Sequence, residues 1–229
     1  MQNPPPHKGH RVELNVTLEC NLSCPGCNRL CGRGAPSEHM SVEQIDAFCK
    51  WACFHPVSRV KIAGGESLKW NRFTIGFVLL EHASKQGIFS LCGNTNGTLP
   101  MPSFAKGVKW YYSSPRKKRH LPYWHAPIDL GLSWKPCKMP HRCGFSLDPG
   151  GWLPCSPAIM IARVFGMTDL YRSDLPDWKT WGMDRLCPLC PHAAPEDWRR
   201  EHCKPLSQFT DEDNTPSASW AKALDAYGS

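Results

Sequence analysis

Arg11-Val-Glu-Leu-Asn-Val-Thr-Leu18 runs through Glu19 into Cys20-Asn-Leu-Ser-Cys24-Pro-Gly-Cys27. The first part alternates, with Val12, Leu14, Val16 and Leu18 on one face, and this predicts a β-strand. The second part sets three thiols at gaps of three and then two residues. Thiolates at such spacing can wrap one soft metal centre from a single loop. The ferredoxin run has two residues in its first gap, and here there are three. Three thiolates on a four-iron cubane leave one iron open, by the logic that gives catalytic zinc its open position. Two other readings stay open: a zinc knuckle, because C-x2-C is also a zinc spacing, and a four-thiolate electron-transfer cluster closed by Cys31. A disulfide framework is disfavoured by the odd count of 13 Cys and by the lack of a visible secretory leader.

Downstream, Ser41-Val-Glu-Gln44 reads as a capping box. Val42, Ile45, Phe48, Cys49 and Ala52 then follow helical spacing up to Pro56. Cys49 and Cys53 on this helix are expected to pack in the core. Val60-Lys-Ile62 reads as a second strand, entering Ala63-Gly64-Gly65-Glu66, which alone is an ordinary strand-to-helix turn. A helix from Phe73 to Lys85 stops at Gly87. Ile88-Phe-Ser-Leu91 and Val108-Lys-Trp-Tyr-Tyr112 are strands, leading into Gly93–Gly97 and Ser113-Ser114. Alternating strands and helices predict a parallel α/β sheet. About four units fit before residue 115, whereas a closed eight-unit barrel needs ~250 residues. The expected fold is therefore a partial, open β/α barrel.

The later cysteines form a second group: Cys137, Cys143, Cys155, Cys187, Cys190 and Cys203. Cys143 to Cys155 reads as a hairpin turning at Asp148-Pro-Gly-Gly151. Ser156 and Pro157 then read as N-cap and first residue of a helix reaching Phe165, with Gly166 as its stop. A zinc site built from Cys187, Cys190, His202 and Cys203 is the alternative to a cluster here.

C-x3-C-x2-C after a predicted strand, with Gly-Gly-Glu at the end of the next strand, resembles the signature of radical S-adenosylmethionine (SAM) enzymes. The resemblance implies a [4Fe-4S] cluster on Cys20, Cys24 and Cys27 whose open iron is chelated by SAM. It implies that Gly64, Gly65 and Glu66 bind the SAM amino group, the glycines by close backbone approach and the acid through its carboxylate. Thr95, Asn96 and Ser113 fall where the family contacts SAM, Ser113 near the ribose. One departure is Gly26, where the family has an aromatic residue. The second cysteine group resembles the short, twitch form of the SPASM auxiliary-cluster domain. That implies one further [4Fe-4S] cluster on Cys155, Cys187, Cys190 and either Cys137 or Cys143. A reductant protein such as a flavodoxin or ferredoxin is implied as electron donor. The expected division is a core at 11–135, an auxiliary region at 136–205, and flexible termini at 1–10 and 206–229.

The 229 residues are 41% hydrophobic, with 22 Pro and 18 Gly, enough for one substantial core with many loops. No run reaches the ~18 apolar residues of a membrane helix, and many thiols suit a reducing compartment, so a cytoplasmic location is expected. A net charge of +7 favours an anionic substrate or partner. Arg116-Lys-Lys-Arg119 reads either as a solvated face or, with Tyr123 and Trp124, as a nucleic-acid backbone track with base stacking. The expected substrate is a nucleobase or modified nucleotide in nucleic acid, with a ribosomally made peptide as the alternative. The rival from another class is a non-catalytic zinc or iron–sulfur nucleic-acid-binding module.

Overall fold

The computed structural model describes residues 9–24, 27–31, 38–113, 119–137, 144–175 and 181–227. Cys143, Gly26, Arg116, Lys117 and Lys118 lie outside the described residues.

The core begins with β1 (His10–Thr17), α1 (Val42–Phe54), β2 (Val57–Gly64), α2 (Phe73–Lys85), β3 (Ser90–Thr95) and β4 (Lys109–Tyr112). Further along come β5 (Arg119–His120), the hairpin β6 (Phe145–Asp148) and β7 (Gly151–Leu153), and α3 (Ser156–Val164). Six strands make one sheet in the order β4-β3-β2-β1-β6-β7. All neighbours are parallel except the β6–β7 hairpin, with Glu13 opposite both Lys61 and Ser146. The sheet is open, as expected. The hairpin of the C-terminal region is not a module apart from the core, because β6 lies directly against β1.

One face of the sheet is apolar. Val12, Leu14, Val16, Val60 and Ile62 pack with Ile45 and Phe48 of α1 and Phe77 and Leu80 of α2. Alternation along β1 produces this face, and the capping box predicted at Ser41 and Gln44 starts α1 with both bonds formed. Cys49 packs against this core, whereas Cys53 is exposed, so only one of the pair bears out the core assignment. A second core gathers on α3, whose Ala158, Ile159, Met160 and Ile161 are buried together with Trp124 and Leu153.

Three local expectations are corrected. Strand β3 runs on to Thr95 instead of ending at Leu91; Gly93 is not a turn residue but makes room for the Trp110 ring, which a Cβ would meet at 2.3 Å. Ser156 does not cap α3, whose N-cap is Cys155 without a side-chain bond; the Ser156 hydroxyl donates to Glu13 Oε1 at 2.9 Å instead. The C-terminal segment is folded, not loose. After α4 (Met183–Leu186), α5 (Glu196–His202) and β8 (Lys204–Pro205) come α6 (Asp211–Asn214) and α7 (Ala218–Tyr227). Trp220 of α7 is 0% exposed, edge-on to Phe165, and donates to Leu189 O at 3.0 Å. Asp129 accepts from the Ser217 hydroxyl and from both Ser219 groups. One buried aromatic and one carboxylate anchor thus outweigh a polar composition. Among the described residues no helix is long and apolar enough to cross a membrane.

Trp220→Ala should lose ~3–5 kcal/mol, the range for emptying a large aromatic site, read as a lower urea midpoint of anaerobically purified protein. A midpoint unchanged from wild type would mean that α7 is not docked.

Candidate active site

A cavity of about 1150 Å³ opens on the polar face of the sheet, at the C-terminal ends of the parallel strands. Cys20, Cys24 and Cys27 line it from the loop after β1, Gly64 and Gly65 from the end of β2, Thr95 and Asn96 from the end of β3, and Ser113 from the end of β4. Ligand sites in open parallel sheets lie at this edge because the strand-to-helix loops converge there. Chain segments far apart in sequence therefore meet at one place, as the motifs suggest.

The loop that carries the thiols is built to hold an anion. Cys27 accepts from the Cys31 thiol and from backbone N–H groups of residues 29–31, and these bonds pull its pKa down to about 7. Leu30 makes the convergence possible: its φ of 54° turns successive N–H groups to one side, a nest-like arrangement. Burial of Leu30 in the second core offsets the ~1–2 kcal/mol that left-handed backbone costs. Cys20 and Cys24 are pushed up, first by burial. Asn96 Nδ2 reaches Cys20 Sγ at 3.8 Å. Cys31 lines the cavity but retains its proton, held by its bond to Cys27 and by burial.

Glu66 is placed differently from the expectation. It is 0% exposed and does not line the cavity. Its carboxylate accepts from Leu68 N at 3.0 Å, Thr95 Oγ1 at 2.9 Å and Asn96 N at 2.7 Å, while its own N–H donates to Glu19 O at 2.8 Å. It ties the ends of β1, β2 and β3 together next to Gly64, Gly65, Thr95 and Asn96, which line the cavity. The glycines also answer to the fold. A Cβ on Gly64 would meet Thr17 O at 2.1 Å, and one on Gly65 would meet Glu19 O at 2.2 Å. The end of β1 and the residues just after it exclude side chains there.

The sequence reading missed the cavity floor. Glu13, Asn15 and Thr17 form the second face of β1 and are as buried as the first. Lys61 Nζ lies 2.6 Å from Glu13 Oε2, and Arg29 pairs with Glu13 Oε1. Arg29 also bonds Ser156 Oγ at 2.9 Å and Asn15 Oδ1 at 2.6 Å. The available signal was the charge at Glu13 within a strand flanked by apolar residues, with Lys61 directly across in the register.

In the second thiol group, Cys137, Cys155, Cys187 and Cys190 face one another electrostatically. Burial pushes all three of Cys155, Cys187 and Cys190 up, Cys187 to about 12, and the Cys137 N–H points at Cys187. Cys137 lines the main cavity, and the other three lie behind it. Of the alternative grouping, His202 stacks on Trp198 with Nδ1 at 2.9 Å from Trp198 O, and Cys203 lines the cavity as Cys137 does. Among the described residues no three His, Cys, Asp or Glu side chains converge on a single-ion position. Trp124 is 0% exposed, with Nε1 donating to Asp213 O, and Tyr123 is buried with its hydroxyl 2.9 Å from His192 Nε2. Trp124 is closed to a stacking base, whereas Tyr123 is among the residues that line the cavity.

No family model matches the chain. It is similar to a probable GTP 3′,8-cyclase of Methanothermobacter marburgensis, 32% identical over 98 residues. That match takes in 41% of this chain and 31% of the cyclase, so the chain spans about a third of that relative's length. A solved structure of BtrN in complex with AdoMet and 2-DOIA overlaps 80% of this chain and 93% of its own at a TM-score of 0.48 and 12% identity.

Two outcomes are expected. Glu13→Gln strips the charge that Lys61 and Arg29 share and should cost ~3–5 kcal/mol of stability, measured by denaturant unfolding; a loss under ~1 kcal/mol would show the floor to be solvated. In iron-free protein, the rate of Cys27 alkylation followed by mass spectrometry should rise with a midpoint near pH 7, with Cys20 and Cys24 following only at higher pH. Because the folded pKa of Cys27 is depressed, its stabilising contribution is complete above the ordinary thiol pKa and lost as pH falls through about 7. One common midpoint for the three thiols would refute the nest.

Proposed function

We propose that the chain is a radical SAM enzyme. The observation that carries this reading is the convergence of Cys20, Cys24 and Cys27 with Gly64, Gly65, Thr95, Asn96 and Ser113 on one cavity. Soft thiolate donors on one loop fit an iron–sulfur cluster, and the nest at Cys27 stabilises a thiolate before any metal arrives. When bound, the cluster and SAM supply one-electron chemistry, the reductive cleavage of SAM and hydrogen abstraction from a substrate. The chain's own part is to hold and orient. Cys20, Cys24 and Cys27 supply the three thiolates, and Asn96 donates to Cys20. Gly64 and Gly65 present backbone to the cavity, held by Gly65 N–H to Thr17 O at 2.7 Å. Glu66 fixes the strand ends from below.

Cys137, Cys155, Cys187 and Cys190 would hold a second cluster of the twitch type, with Cys137 favoured over Cys143 by its place among the other three. Four thiolates leave no open iron, so structural support and electron transfer are its roles. A reductant such as a flavodoxin or ferredoxin would feed the site. A nucleobase or modified nucleotide remains the favoured substrate, supported by the net charge of +7 and by the GTP in the relative's name.

Anaerobically reconstituted protein should bind about eight irons per chain and release 5′-deoxyadenosine from SAM when reduced with dithionite. Alanine at Cys20, Cys24 or Cys27 should abolish that product, whereas Cys187→Ala with Cys190→Ala should bring iron to about four. A colourless protein with one zinc and no SAM cleavage would establish the zinc-module reading instead.

A further inference from the structure

The cavity lining is strongly cationic. It holds Arg29, Lys61, Arg119, Lys135, Arg199 and Arg200 against Glu13 and Glu196. Arg29 and Lys61 are committed to Glu13 on the floor. The other four come together on the wall contributed by the C-terminal region. Lys135 N–H bonds Ala193 O at 3.1 Å, Arg199 Nε bonds Ala194 O at 3.0 Å, and Arg119 Nε bonds Cys203 O at 2.7 Å. The segment from Ala193 to Cys203 therefore gathers all four around one stretch of wall. Among the described residues none of the four forms an ion pair, and the side chains of Lys135 and Arg200 make no hydrogen bond. Nearby His192 is neutral, pushed down to about 4 by burial.

Four cations with Glu196 as the one carboxylate lining the same wall leave an excess of positive charge, an arrangement that an anionic ligand relieves. SAM is not that ligand: its sulfonium, ammonium and carboxylate sum to one positive charge. We infer that this wall binds the phosphoryl group of a phosphorylated small-molecule substrate, with Lys135, Arg119, Arg199 and Arg200 around its oxygens and the floor of Glu13, Lys61 and Arg29 beneath its organic part. Calling the ligand a substrate rests on the radical SAM reading; the anion site does not. A compact phosphorylated molecule is favoured over a polynucleotide because the four cations line one cavity and Trp124 is fully buried, which leaves Tyr123 as the one residue of that aromatic pair at the cavity. Guanidinium groups match phosphoryl oxygens in pairs.

The test is calorimetric titration of the anaerobically purified, iron-loaded protein with tripolyphosphate and with a short oligothymidylate, at two salt concentrations. Lys135→Gln with Arg200→Gln removes two wall charges that make no side-chain bond. Arg185→Gln with Lys50→Gln, each in an exposed ion pair away from the cavity, controls for net charge. Tripolyphosphate should bind wild type and the control alike and the wall variant about ten-fold or more weaker, the scale of lost charge-assisted bonds. Equal binding by all three proteins, or none, would overturn the inference. Tighter binding of the oligonucleotide, with a salt slope of several phosphates, would replace it with a nucleic-acid site. Loss of iron from the wall variant would show that the cations serve the second thiol group. Wild-type protein that binds tripolyphosphate but never cleaves SAM would leave the anion site standing and remove the radical SAM reading. SAM cleavage without anion binding would do the reverse.

Discussion

Glu13 is the carboxylate on which the site depends. It is 2% exposed and reaches three parts of the chain: Lys61 on β2, Arg29 in the thiol loop, and Ser156 at the start of α3. A buried charge with one partner removed is strongly destabilising, whereas a fully partnered one is tolerated. The thiol loop, the parallel sheet and the second core are therefore held in one register by a group that cannot leave any of them. Moving Arg29 would shift Leu30 and with it the N–H groups that converge on Cys27.

The two thiol groups differ in how they are prepared. Cys27 is stabilised as an anion by local donors, so the first loop is poised to take up metal near neutral pH. Cys155, Cys187 and Cys190 are buried among one another, and burial holds them as neutral thiols. Deprotonation there has to be driven by a metal, and metal binding at such a site is folding free energy. Cys137, on the cavity wall beside the second group, is the point where the two regions meet.

The buried Glu66 shows how a motif can be legible while its role is not. Gly64-Gly65-Glu66 sits where a ligand-binding turn belongs, and its backbone lines the cavity. Yet the missing side chains make room for β1, and the acid serves Thr95, Asn96 and Leu68. Gly93 misled in the same way, since a glycine that admits an indole ring and a glycine that turns the chain are the same letter. Trp124 was read as a base-stacking residue and Trp220 as part of a loose tail, although Trp220, Ala223, Leu224 and Tyr227 share one helical face; the partners that bury the two rings, Asp213, Leu189 and Phe165, lie far along the chain.

By itself the sequence determined the elements whose signals are local. The alternation of β1, the Ser41 capping box, the span of α2 and the spacing of Cys20, Cys24 and Cys27 need only neighbours a few residues away. The existence of an open parallel sheet followed from their order. Only the tertiary structure decided which residues share the cavity: Glu13 with Lys61 and Arg29, Cys137 with the first thiol loop, and the four cations around Ala193 to Cys203. These groupings depend on strand order and on where α3 to α7 dock. Both are set by burial of apolar surface between distant segments, and the periodicity of one segment does not say which other segment covers it.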